Sequence, residues 1–139
     1  MTGIHRFPVR VYYEDTDAGG IVYHANYLRF AERARTEWLR AAGFDHPRLL
    51  ETLGVMFTVR RCDILFLAPA RLDDEIRVET RFDRLEGARI HLTQNILRTE
   101  QQLVRLAVEL VLVDRRVRPV RPPTALRVLL DAPSAREPQ

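Results

Sequence analysis

The chain has 139 residues, 46% of them hydrophobic and 29% charged, the balance of a single soluble domain rather than a disordered or fibrous one. A domain of this size buries a core without help from disulfides or a structural metal. Its formal charge is +3, but acidic residues are interleaved with the arginines and no basic-aromatic stripe occurs, so no nucleic-acid partner is expected.

Every basic residue is an arginine, with denser patches at Arg60–Arg61 and from Arg115 to Arg121. The single cysteine, Cys62, excludes an internal disulfide and reads as a small strand residue. No Cys/His cluster has zinc-site spacing, so no metal is expected. The opening "MTGIHRFPVRVYY" has no apolar core of the secretory kind. The longest apolar run, Leu103 to Val113, is broken by Arg105 and Glu109 and is too short to span a bilayer. A cytoplasmic protein without a transmembrane segment is the expectation.

The first strand is expected from Phe7 to Tyr13, where Val9, Val11 and Tyr13 alternate with Arg10 and Tyr12. A junction, "EDTDAGGIVYH", follows. The next segment, Asn26 to Ala42, has helical spacing: Tyr27, Ala31, Ala34, Trp38 and Ala41–Ala42 share one face. Gly43 suits the position just past the helix end. "HPRLLETLG" suggests a short second helix. Four strands follow: Val55 to Leu67, then one around Ile76, Val78, Thr80 and Phe82, then Ala88 to Arg98 and Gln102 to Asp114. "LEG" and "TEQQ" are hairpin-sized connections. "RPVRPP" ends the strand series, because proline cannot donate to a ladder. A short helix, Ala125 to Leu130, and a polar tail close the chain. One long helix followed by a run of antiparallel strands implies an α+β domain, a five-stranded sheet curled around the helix. Its outer face and a free edge favour an oligomer.

"VYYEDTDAGGIVYHANYLRFAERARTEWL" resembles the signature of hotdog-fold acyl-CoA thioesterases of the 4-hydroxybenzoyl-CoA thioesterase type. With "APARLDDEI" downstream, the wording is similar to the Tol-Pal-associated bacterial subgroup. The resemblance runs from about residue 8 to residue 122. It implies one hotdog domain over 1–139, with its core over 7–122 and a short helix and polar tail over 123–139. It implies dimers joined edge to edge through Val55 to Leu67, often paired again into tetramers. It also implies hydrolysis of acyl-CoA thioesters without metal or organic cofactor. The family's functional positions fall on Tyr13, Asp17 and His24. The subgroup's association with envelope maintenance adds acyl carrier protein, lipid-synthesis enzymes and envelope proteins at the inner membrane as implied partners.

These residue types suit the chemistry. A thiol has a pKa of about 8.5, so a thiolate leaves with little acid assistance. Hydrolysis then needs a nucleophile and a place for oxyanion charge. Asp17 is expected either to attack the carbonyl or to deprotonate a water. The amides from His24 to Asn26, at the positive end of the helix dipole, are expected to receive the oxygen. Gly19 and Gly20 permit the bend. Asp15, which in an extended chain would share a side with Asp17, reads as structural. His5, His46 and His91 read as surface residues. Coenzyme A phosphates suit arginine forks; the candidates are Arg84, Arg89, Arg118 and Arg121. Two other functions compete. A hotdog 3-hydroxyacyl dehydratase would use Glu32 as its acid. A scaffold would bind acyl carrier protein or lipid-synthesis enzymes at the inner membrane.

Overall fold

The computed structural model describes residues 3–131. The elements are β1 (Ile4–Arg10), α1 (Asn26–Ala41), α2 (His46–Arg48), β2 (Val55–Phe66), β3 (Glu75–Glu86), β4 (Arg89–Arg98), β5 (Gln101–Asp114) and α3 (Thr124–Asp131). The polar tail lies outside the described residues. The five strands form one antiparallel sheet in the order β1-β3-β4-β5-β2, so β1 and β2 are its edges.

Strand alternation decides which face is covered. Ile76, Val78 and Thr80 of β3, Ile90, Leu92, Gln94 and Ile96 of β4, and Leu106, Val108 and Leu110 of β5 are all buried. The 16-residue α1 lies against this face through Tyr27, Phe30, Ala31, Ala34 and Trp38. Ala31 and Ala34 are fully buried, and their small side chains let backbone and sheet approach. Gln94 Nε2 donates to the Ala31 carbonyl at 3.0 Å and to Thr80 Oγ1 at 2.9 Å. Its Oε1 accepts from the Arg35 guanidinium at 3.0 Å. A polar side chain in the centre of the sheet is thus fully bonded, as burial requires. Gly43, with φ of 93°, takes the left-handed position past the helix.

Several expected boundaries move. The first strand starts and stops earlier, and Tyr13 falls in a 3₁₀ turn at 82% exposure. Val11 still faces the core, but its backbone groups bond Asp73 and Asp74 in the loop preceding β3. Ala41 is exposed because the helix is ending there. β3 runs on past Phe82 to Glu86 while β4 begins at Arg89, one residue later than expected, leaving a tight turn at Gly87–Ala88 with Gly87 at φ 61°.

Two β-bulges matter later. The β2–β5 register shifts between Val59 and Arg61, and the β3–β4 register shifts between Phe82 and Arg84. Each adds one residue to its strand and so reverses which later side chains point outward.

Gln94→Leu keeps volume and apolar fit but removes the acceptor of a largely buried guanidinium and the donor to Thr80. Charged hydrogen bonds of this kind contribute about 1.5–3 kcal/mol each. The expected outcome is a lower denaturation midpoint with an unchanged slope, a loss of about 2–3 kcal/mol in urea titrations. An unchanged midpoint would show that the network stabilises nothing.

Candidate active site

The chain between β1 and α1 is organised by one buried carboxylate. Asp15 is 7% exposed. Its Oδ2 accepts from the Tyr12 N–H at 2.9 Å and its Oδ1 from Asn26 Nδ2 at 2.8 Å. The Tyr23 N–H donates to its carbonyl at 2.9 Å. Asp15 therefore ties the strand exit, the loop and the first residue of α1 together. The extended chain that would have set Asp15 and Asp17 on one side is replaced by the 3₁₀ turn Tyr13–Asp15. One aspartate turns inward and the other outward.

Asp17 is exposed at the loop tip. Its Oδ1 accepts from the Gly19 N–H at 2.9 Å, its N–H donates to the Ile21 carbonyl at 2.9 Å, and its carbonyl accepts from the Gly20 N–H at 3.0 Å. Gly20 has φ of 77°, so the bend uses the left-handed region. A Cβ on Gly19 would sit 3.3 Å from Asp17 Oδ1, so glycine also preserves the close approach. The returning chain is anchored by the Val22 N–H on the Ala70 carbonyl at 2.9 Å, and the Ala70 N–H donates to Tyr27 Oη at 3.0 Å. On the adjoining segment, Asp74 accepts from the Arg71 N–H at 2.8 Å and pairs with Arg98.

His24 is exposed two residues before α1. Its ring lies 4.6 Å from Tyr23 and meets Phe66 edge-on at 6.3 Å; Phe66 in turn lies 5.8 Å from Tyr27. The Asn26 amide is already committed to the Tyr23 carbonyl at 2.8 Å. The expected oxyanion donors therefore narrow to the amides of His24 and Ala25, which have no acceptor among the described residues. Tyr13 projects from the 3₁₀ turn. Among the described residues no hydrogen bond or ring contact joins Tyr13, Asp17 and His24 to one another. They surround one loop as three separate exposed side chains.

The four arginines expected at coenzyme A phosphates lie elsewhere. Glu75 pairs with Arg10 at the Asp17 end of the sheet, while Arg84 is nine positions further along β3 (84 − 75), about 30 Å at 3.3 Å per residue. Arg89 begins β4 beside the same turn, with its guanidinium 4.0 Å from Glu109 Oε1. Arg118 is 3.5 Å from Asp114 Oδ2, and Asp114 pairs with Val55, the opposite end of β2 from Phe66. Arg121 is exposed on the segment that follows. Within one chain none of the four is brought to the Asp17 loop.

Sequence reasoning missed Phe66, since nothing in a strand 42 residues away (66 − 24) signals a contact with His24. It missed the side chain of Asn26, which reads as an ordinary first-turn residue until Asp15 is seen beneath it. His91 is not a surface residue: its side chain is 16% exposed. His5 is half-buried, and burial lowers its pKa despite Glu37. His46 is exposed as expected. Burial pushes the Cys62 thiol up, which keeps it protonated and agrees with a passive strand residue.

The fold and the loop together define a class. The sequence pattern of the thioesterase-like superfamily matches residues 11–130, and the chain belongs to that superfamily. Its five-stranded sheet and 16-residue helix are the hotdog arrangement. The chain is 48% identical over 108 residues to the acyl-CoA thioesterase YbgC of Haemophilus influenzae, covering 78% of this chain and 79% of that one. It is 47% identical over 110 residues to the acyl-CoA thioester hydrolase YbgC of Escherichia coli O6:H1, covering 79% and 81%. A probable thioesterase from Bartonella henselae superposes with a TM-score of 0.84 at 43% identity, over 87% of this chain and all of that one. A 4-hydroxybenzoyl CoA thioesterase mutant complexed with 4-hydroxybenzoyl CoA shares the fold, with a TM-score of 0.86 at 20% identity over 92% and 99%.

The two aspartates should separate in stability measurements. Asp15→Ala leaves the Tyr12 N–H and the Asn26 amide without their acceptor, an expected loss of about 1–3 kcal/mol. Asp17→Asn alters an exposed side chain and should stay within about 0.5 kcal/mol of the parent. Chemical denaturation of both variants checks this. Equal midpoints would contradict the assignment of Asp15 as the clamp.

Proposed function

We propose that the protein hydrolyses acyl-CoA thioesters, with Asp17 as nucleophile or general base and the amides of His24 and Ala25 as oxyanion donors. One observation carries this reading: an exposed carboxylate held by the Gly19 amide stands across a glycine bend from a helix start with two uncommitted N–H groups. The thioester oxygen points at those amides. As the carbonyl carbon becomes tetrahedral, charge on the oxygen meets the positive end of the α1 dipole. Attack by Asp17 gives a mixed anhydride that water cleaves; attack by an Asp17-activated water gives the acid directly. In both routes coenzyme A leaves as a thiolate. Tyr23, Leu65, Phe66 and Leu67 are exposed apolar side chains, and Phe66 and Tyr23 flank His24; they offer a wall for the acyl group. The acyl-CoA thioesterases among the relatives support the substrate class.

We extend the reading to assembly. β2 is a sheet edge with Val59, Leu65 and Phe66 exposed, features that favour pairing with a second copy of β2. Antiparallel pairing would set the Val55 end of one copy beside the Phe66 end of the other. The arginines distant from Asp17 in their own chain, Arg118 and Arg121 foremost, would then approach the site of the neighbour and meet the coenzyme A phosphates. A dehydratase is less well supported. Its acid, Glu32, sits in a separate hollow with Phe7, Arg29 and Arg33. No helix among the described residues is long and apolar enough to cross a membrane. A cytoplasmic site of action, with acyl carrier protein or envelope-maintenance proteins as partners, rests on the resemblance to the Tol-Pal-associated subgroup; co-purification tests it.

Asp17→Asn should remove nearly all thiol release from acyl-CoA substrates, because the amide is neither nucleophilic nor basic. Near-normal turnover would sink the mechanism. His24→Ala should lose less, toward the mild end of the about 10²–10⁴-fold range of a positioned acid/base group, since the leaving thiolate needs little protonation. If His24→Ala is as inactive as Asp17→Asn, the imidazole takes a principal part. In sedimentation the active species should be a dimer or a pair of dimers; a fully active monomer would rule out a site shared between copies.

A further inference from the structure

The outer face of the sheet, opposite α1, carries a second cluster of reactive side chains. His91 of β4 and Glu109 of β5 are directly paired across the two strands. Glu86 ends β3 beside them. His91 Nε2 lies 3.5 Å from Glu86 Oε1 and 3.7 Å from Glu109 Oε1. The three donor atoms all lie within 4.8 Å of one another. His91 Nε2 is enclosed yet makes no hydrogen bond, an unusual condition for a buried nitrogen facing two carboxylates.

Both β-bulges converge on this cluster. Before the β3 bulge, Ile76, Val78 and Thr80 point inward; the extra residue at Asp83 sends Glu86 outward, to the face of His91. In β2 the extra residue is Arg60, whose guanidinium reaches Glu109 Oε2 at 2.5 Å. That contact engages one oxygen of Glu109 and leaves the other, Oε1, toward His91. The Glu109 carboxyl is accordingly held below its ordinary range, with the Arg60 hydrogen bond as the main cause. Arg61, Asp63, Asp83 and Arg84 line the same hollow, and Arg89 lies 4.0 Å from Glu109 Oε1.

We propose that Glu86, His91 and Glu109 form a binding site for a zinc-type divalent transition-metal ion. An imidazole nitrogen and two carboxylate oxygens are ordinary zinc donors, and three protein ligands leave one position for water. A tetrahedral ion with bonds of about 2.0–2.1 Å places neighbouring donors about 3.3–3.4 Å apart. The two histidine–carboxylate separations are a few tenths of an ångström longer and need only side-chain adjustment. Arg60 acts as the group that orients a ligand carboxylate from behind. Arg89 works against the ion, because its charge competes for the same oxygen. The site stands on the opposite face of the sheet from α1. Its ion would join the β3–β4 hairpin to β5.

The probe is zinc ion itself, titrated into the full chain at neutral pH against a chromogenic chelator. The expected result is one tightly held ion per chain, with affinity reduced about 10–100-fold or more in His91→Ala and in Glu109→Gln. Arg89→Ala should bind zinc at least as tightly as the parent. Cobalt(II) substituted into the parent should give the strong visible absorption of a tetrahedral site, absent in His91→Ala. Circular dichroism confirms that each variant is folded, and Glu86→Gln supplies a third variant if one is not. Zinc that stays bound equally well in His91→Ala and Glu109→Gln overturns the proposal. So does a parent chain that takes up no zinc, in which case the cluster is an ion-pair network alone.

Discussion

The Asp15 carboxylate is the constraint on which the rest of the candidate active site depends. It accepts one hydrogen bond from the strand exit and one from the first residue of α1. With both held, the seven residues from Thr16 to Val22 must close on themselves, since Thr16 and Val22 are bridged. The loop has little freedom left. Gly19 and Gly20 absorb the bend, and Asp17 is presented at its tip. A short polar clamp buried at the end of a sheet is costly unless fully bonded; here both carboxylate oxygens have partners. Rigidity at Asp15 thus becomes orientation at Asp17, two residues away.

Anchoring from a second direction gives the site its walls. The segment between β2 and β3 comes back across the loop, and Ala70 bonds Val22 on one side and Tyr27 on the other. Tyr27 therefore serves the core and the site together: its ring packs with Phe30 and Phe66, and its hydroxyl fixes the neighbouring backbone. Phe66 links the same system to His24. The helix start, the edge strand and the returning loop meet there, and the exposed Tyr23, Leu65, Phe66 and Leu67 gather at this corner.

The fold was largely legible in the sequence, and the reason is periodicity. The helix pattern over Tyr27, Ala31, Ala34 and Trp38 and the alternation through β3 report burial directly, and burial is what the structure shows for them. Strand ends were less legible. Tyr13 continued the alternation of β1 on paper, yet the Asp15 hydrogen bond to the Tyr12 amide turns the chain before it. That interaction is local but depends on Asn26, eleven residues on (26 − 15), which no periodicity reveals. Bulges are invisible for the same reason: Asp83 and Arg60 look like ordinary members of polar-rich strands. Their effect on Glu86 and Glu109 exists only once register with β4 and β5 is known. The motif points to Asp17 and His24 as candidates, but it carries no sign that the Asn26 amide is already bonded to the Tyr23 carbonyl.

The distribution of charge gives the sheet two unlike ends. At the Asp17 end Arg98 pairs with Asp74 and Arg10 with Glu75. The other end concentrates Arg60, Arg89, Arg115, Arg116 and Arg118 around Glu109 and Asp114, with more guanidinium than carboxylate among these named groups. A substrate that carries its reacting carbonyl at one extremity and its phosphates at the other has a matching polarity. Within one chain the two ends lie most of a strand's length apart. The proposed antiparallel pairing of two β2 edges would shorten that distance by setting unlike ends side by side. The same edge that leaves hydrogen-bonding groups unpaired in one chain would then complete a phosphate-binding surface in the pair. Sheet continuation and substrate recognition would be one event, with the exposed Phe66 corner of one copy beside the Val55 end of the other.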